Sequence, residues 1–107
     1  MLEYTPDRWI VLEFTYGDKV TRKLFGGWYG GYTGSDSWKL NSGIVGVRIN
    51  YGTEYEFDGA SGSTYYCHLN NYGMAGFQQS ILAKWRTQEE AAGIKIKELC
   101  LDDIVAF

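Results

Sequence analysis

Proline occurs once, at Pro6, and histidine once, at His68; the cysteines are two, Cys67 and Cys100. Each scarcity excludes something. With no proline after residue 6, no low-complexity tract and no internal repeat, nothing reads as a linker, and one domain spanning 1–107 is expected. Two cysteines are no disulfide framework; they read as small buried hydrophobes and free thiols. With His68 they make three soft ligands at best, without the close spacing of a zinc site. No apolar run approaches the roughly 20 residues of a membrane span. Met1–Arg8 lacks the basic start and apolar centre of a signal peptide, so a cytoplasmic, reducing setting is expected and no membrane partner.

What is abundant is aromatic residues and glycine. Four Trp, nine Tyr and five Phe are interleaved with fourteen Gly, most densely from Phe25 through Gly34 and on to Trp38. Aromatics supply large apolar area with few rotatable bonds, and glycine lets the backbone bend or approach another group closely. The pairing of the two predicts bent strands and tight loops.

The chain reads as strands first. Trp9–Thr15 and Val20–Phe25 flank a Gly17-Asp18 turn signal. That turn fixes a register with Tyr16 opposite Lys19, Glu13 opposite Arg22 and Ile10 opposite Phe25. One face then collects Ile10, Leu12, Phe14 and Phe25, and the other Trp9, Val11 and Leu24. The second strand is expected to run on to Tyr29 through a kink at Gly26-Gly27. A short piece follows at Trp38–Leu40, then Ile44–Ile49 with Val45, Val47 and Ile49 on one face. Thr53–Phe57 alternates, Tyr55 and Phe57 inward and Glu54 and Glu56 outward. A turn cluster at Asp58–Ser63 leads into Thr64–Leu69.

From Met74 to Ala92 the period changes. Met74, Phe77, Ile81 and Trp85, with Leu82 beside them, form one helical stripe. Asn70 or Asn71 would cap its start and Gly93 would end it. Ile94–Lys97 alternates as a last strand, and Asp102-Asp103 blunts the end. The class expected is α+β: a small antiparallel, partly open β-barrel of five to six strands, with one amphipathic helix near the C-terminal end.

The net charge of −3 is unevenly spread. Residues 19–48 carry Lys19, Arg22, Lys23, Lys39 and Arg48 against Asp36, in the stretch that also holds Trp28, Tyr29, Tyr32 and Trp38. Aromatic faces stack on bases and cations meet phosphates, so the candidate ligand-binding residues are Trp28, Tyr29, Tyr32, Trp38, Lys23, Lys39 and Arg48. The same aromatics also serve as core and loop packing in a domain this small. Catalytic constellations fare worse. Cys67 and His68 are strand neighbours and point to opposite faces. Gly59–Ser63 leads into a strand rather than a helix and has no P-loop lysine, which favours an ordinary hairpin connection. Glu54 and Glu56 read as a solvated strand face. No metal, cofactor or catalytic residue is expected.

The stretches Asp36-Ser37-Trp38-Lys39-Leu40-Asn41-Ser42-Gly43-Ile44 and Asp58–His68, followed by Asn71-Tyr72-Gly73-Met74, resemble small uncharacterised proteins of tailed phages of marine cyanobacteria and of ocean metagenomes. The resemblance covers roughly residues 8–86. It implies a phage protein acting in a bacterial cytoplasm and implies no reaction. The order of short strands is also similar to Sm-like small barrels, which often form rings and bind nucleic acid, although those chains place a helix first. The function expected is a non-enzymatic binding module for single-stranded nucleic acid or a nucleotide, acting as a homo-oligomer. The alternative is a self-assembling or protein–protein interaction module with no nucleic-acid role.

Overall fold

The structure is a computed structural model that describes residues 2–30 and 35–104. Among the described residues eight strands and two α-helices follow in the order β1 (Glu3–Tyr4), β2 (Arg8–Tyr16), β3 (Lys19–Trp28), β4 (Ser37–Leu40), β5 (Ile44–Asn50), β6 (Glu54–Gly59), β7 (Thr64–His68), α1 (Gly76–Ala91), β8 (Lys95–Glu98) and α2 (Leu101–Ile104). They form two four-stranded sheets, β1-β7-β6-β5 and β4-β3-β2-β8. The α+β class holds. The sheets are not closed into a barrel, and the strands number more than the five to six expected. Two short strands account for the difference. Strand β1 has only two residues, too short to carry a period, and pairs parallel to β7. Strand β4, expected only as a short piece, is a full edge strand on β3, while the expected last strand, β8, joins the far side of β2, antiparallel.

The β2–β3 hairpin forms in the register that its turn dictates. Gly17 takes φ +58°, the left-handed region open to glycine. Tyr16 pairs with Lys19, Glu13 with Arg22 and Ile10 with Phe25. Arg22 Nε donates to Glu13 Oε2 at 3.0 Å. The two faces separate as the alternation requires, because successive strand residues point to opposite sides. Trp9, Val11 and Leu24 meet Tyr55, Phe57, Tyr65 and Cys67 of the other sheet, with Leu99 and Ile104 closing that core. Ile10, Leu12 and Phe25, with Ile96 of β8, meet Leu82 of α1. The β4-β3-β2-β8 sheet is therefore the middle of three layers, covered by the second sheet on one face and by α1 on the other.

Helix α1 lies close because β3 has no side chain under its first turn. A Cβ on Gly27 would fall 2.6 Å from Gln78 Cδ and 2.9 Å from Phe77 Cζ. Gln78, placed by its sequence spacing off the apolar stripe, is fully buried. Its Oε1 accepts from Ala75 N at 2.9 Å, and its Nε2 donates to Phe25 O at 3.3 Å. The residue that begins the helix is Ala75, not Asn70 or Asn71, which lie in a separate 3-10 turn (Leu69–Asn71). Gln78, three residues into the helix, thus reaches back to the N–H of the N-cap residue, the half of a capping box that an N3 glutamine supplies. At the other end Gly93, φ +84°, stops the helix: Ile94 N reaches Glu89 O at 2.7 Å and Gly93 N reaches Glu90 O at 3.1 Å. Among the described residues no helix is long and apolar enough to cross a membrane.

Two apolar assignments change. A bulge between Ile44 and Gly46 puts Ile44 and Val47 against the core and leaves Val45 70% exposed, so Val45, Val47 and Ile49 do not share one buried face. Cys67 is buried, but Cys100 is exposed, its Sγ donating to Asp103 Oδ2 at 3.1 Å. Both are free thiols. Burial pushes the Cys67 thiol far above its ordinary pKa, leaving almost no thiolate at neutral pH. In native protein at pH 8 an alkylating reagent should therefore label Cys100 and spare Cys67. Both should label after denaturation. Rapid labelling of Cys67 in the folded state, read by mass spectrometry of its peptide, would place the thiol outside the core.

Candidate nucleic-acid interface

The edge strand β4 divides the candidate residues between its two sides. It pairs with β3 through Phe25–Leu40, Gly26–Lys39, Gly27–Trp38 and Trp28–Ser37. Alternation sends Trp38 and Leu40 to the side of α1, and Lys39 to the side of the second sheet. Where β4 stops, buried Asn41 continues the ladder: its Oδ1 accepts from Leu24 N at 2.8 Å and its own N donates to Leu24 O at 3.0 Å. That anchor fixes the strand that carries Trp38.

On the helix side, Trp38 is 46% exposed. Its inner edge packs on Trp85 (ring centroids 5.2 Å apart, planes at 72°) and on Phe25 (5.9 Å, 84°). Trp85 in turn lies 4.9 Å from Phe25. Trp38 and Trp85, with buried Phe25 behind them, wall a groove of about 540 Å³ between β4, the β2–β3 hairpin and the end of α1, lined also by Phe14, Lys19, Lys23 and Glu89. Lys23 Nζ sits 5.4 Å over the Phe14 ring, a cation–π contact between two residues of the groove lining. The groove thus has an aromatic wall, two lysines, and one carboxylate near the helix C-terminus.

On the opposite side of β4, Lys39 Nζ lies 5.2 Å over the Tyr4 ring. Trp28 packs edge-on against Tyr4 at 6.1 Å, and its Nε1 donates to Thr5 O at 3.0 Å. Tyr4 itself stacks on Tyr65 at 5.1 Å. Here Trp28 has a structural part, tying the residues after β1 to the end of β3. Tyr29 is half exposed; its N donates to Asp7 Oδ2 at 2.9 Å and its ring meets the edge of Phe77. Tyr32 lies outside the described residues.

Arg48 belongs to neither group. It stands on β5 in the other sheet, where it forks onto Asp58 (3.0 and 3.2 Å) and also bonds Glu56. The hydrogen bond from Arg48, and then that from Asn50, hold the Glu56 carboxyl below its ordinary pKa. A guanidinium so occupied is a poor phosphate ligand. Of the seven candidates, then, Trp38 and Lys23 share the groove, Lys39 and Trp28 share the other side of β4, and Arg48 stands apart. Residues not picked out from the sequence complete the groove. Trp85 was legible as a stripe residue but not as a partner of Trp38, because the β4–α1 contact is long-range. Lys19 was legible only as part of a basic stretch.

The other constellations resolve as simple structure. Gly59–Ser63 closes the β6–β7 hairpin, with Gly59 N on Ser63 O at 2.8 Å. His68 is exposed and its Nδ1 accepts from Asn70 N at 3.2 Å, while Cys67 points into the core. Among the described residues no group of His, Cys, Asp and Glu is arranged to hold a metal ion. No family model, curated protein or solved structure matches the chain.

Proposed function

We propose that the protein is a non-enzymatic binding module whose groove between β4 and α1 takes single-stranded nucleic acid or a nucleotide. The observation that carries this reading is Trp38: a large ring, half exposed, held from behind by Trp85 and Phe25, with Lys19 and Lys23 lining the same groove. A ring braced in this way loses little conformational entropy when a base stacks on it, and such stacking is worth about 1–3 kcal/mol per base. The two ammonium groups reach for the phosphates that flank the stacked base. The phage resemblance makes an infected bacterial cytoplasm the setting in which such a ligand is abundant.

The test is binding of a labelled oligothymidylate at two salt concentrations. Trp38→Ala should weaken binding by about 5- to 150-fold at both salts, the range that 1–3 kcal/mol of stacking spans. Lys19→Ala and Lys23→Ala should instead flatten the salt dependence, each lowering the log–log slope by about 0.7. Trp28→Ala, on the far side of β4, should leave affinity unchanged. Absence of binding by the wild type at low salt, or wild-type affinity in folded Trp38→Ala, would refute the nucleic-acid reading in favour of a protein-interaction module.

A further inference from the structure

The groove beside Trp38 has a second exposed ring at its other end. Tyr16, the last residue of β2, is 62% exposed and lines the same groove. Its ring stands at the α1–β8 turn, where a Cβ on Gly93 would lie 3.9 Å from Tyr16 Cε2. Trp38 leans on Trp85, and from residue 85 to residue 93 a helix advances about 12 Å, so the two rings are well apart. Along β3, Trp38 is opposite Gly27 and Tyr16 is opposite Lys19, with Lys23 midway between. The floor between the rings is one face of β3, where alternation brings Lys19, Thr21 and Lys23 up together. Among the described residues neither lysine is in an ion pair. The carboxylate of the lining, Glu89, belongs to the helix wall and not to that floor.

We infer that the ligand of this groove is a single strand several nucleotides long, held at two stations: one base stacks on Trp38, another on Tyr16, and the phosphates between them meet Lys23 and Lys19. This rests on the nucleic-acid reading above and narrows it from a nucleotide to a strand. About 12 Å is three to four times the roughly 3.4 Å step between stacked bases, so neighbouring bases cannot serve both rings and about four or five nucleotides can. Glu89 repels phosphate from the helix wall, so the backbone of the strand lies over β3 and its bases turn toward α1. Stacking on either ring asks for no particular base edge, so the site is tolerant of sequence and selective for length. Once one base is seated, the second station is reached within the same strand, which raises affinity without any further contact of the first.

Fluorescence anisotropy of labelled thymidylates of two lengths tests this. The wild type should bind hexathymidylate about tenfold or more tighter than dithymidylate, which reaches one ring only. Tyr16→Ala should weaken hexathymidylate binding by about 5- to 150-fold at low and high salt alike, whereas Tyr16→Phe, which keeps the ring, should stay within about twofold of wild type. A crosslink on the wild type covers the case of a misfolded variant. Hexathymidylate with bromouracil at one end should, on irradiation, attach to the peptide of Tyr16, and with bromouracil at the other end to the peptide of Trp38. Failure of the wild type to bind hexathymidylate at low salt would remove the nucleic-acid reading and this inference with it. Equal affinity for the two lengths, a folded Tyr16→Ala variant of wild-type affinity, or attachment at Trp38 from both ends would overturn this inference alone; Trp38→Ala would then still weaken binding, and the groove would hold a nucleotide.

Discussion

Trp9→Ala should destabilise the fold by about 3–5 kcal/mol, a large part of the 5–15 kcal/mol that typically holds a domain together. Trp9 is fully buried. Its ring is met edge-on by Tyr72 at 4.6 Å, Phe57 at 5.5 Å and Tyr55 at 6.0 Å, so alanine would leave a void lined by three other rings. Its Nε1 also donates to His68 O at 2.7 Å, tying β2 to the end of β7. Trp9→Phe should fall between wild type and alanine, because it restores most of the volume and none of the hydrogen bond. Urea titration measures both. A cost for alanine below about 1 kcal/mol would mean that the layer between the sheets collapses to fill the space, contrary to close packing.

The second large effect is expected at Gln78. Its amide satisfies two backbone groups, Ala75 N and Phe25 O, from a fully buried position. Each buried group left unpaired costs about 1–3 kcal/mol, so Gln78→Ala should cost several kcal/mol once the lost packing is included. Gln78→Leu separates the causes: it keeps the volume and loses both hydrogen bonds, and it should remain clearly less stable than wild type. Gly27→Ala adds a second check. Alone it drives a methyl into Gln78 and should destabilise by about 1–3 kcal/mol. With Gln78→Ala the nearer of its two obstacles is gone and only the Phe77 ring end, 2.9 Å away, remains, so the two changes should be less than additive. Additivity, or a Leu variant as stable as wild type, would mean that Gln78 is not the contact on which α1 rests.

Local signals were the legible part of this fold. A turn at Gly17-Asp18 was enough to place Glu13 against Arg22 and to sort Trp9 and Val11 from Ile10 and Leu12, because a two-residue turn leaves one register. The stripe through Phe77, Ile81 and Trp85 and the stop at Gly93 were legible for the same reason. What escaped depends on contacts far apart in the chain. Gln78 reads as polar until Gly27 and Phe25 are beneath it. The bulge at Val45 reverses an alternation that looks regular in the sequence. Strand β1 has no period of its own and exists because β7 is there to pair with it. For the candidate site, composition located the right neighbourhood, and strand parity then divided it: Trp38 and Lys39 are neighbours in sequence and lie on opposite sides of β4. Arg48 was grouped with the aromatics by proximity in sequence, yet β5 crosses to the other sheet.

The place of β2 bears on how the chain reaches its native state. Its local partner β3 follows within one short turn, and that hairpin closes on a microsecond scale. Almost everything else β2 touches arrives late. The Trp9 indole waits for His68, 59 positions away, and its other neighbours β7, α1 and β8 all lie in the last half of the chain. Until they arrive, a strand apolar on both faces stands bare. A nascent chain would hold an unfinished, sticky hairpin through most of its synthesis, and refolding would be limited by the search for distant partners rather than by any local step, in the slow millisecond-to-second range of β-rich topologies.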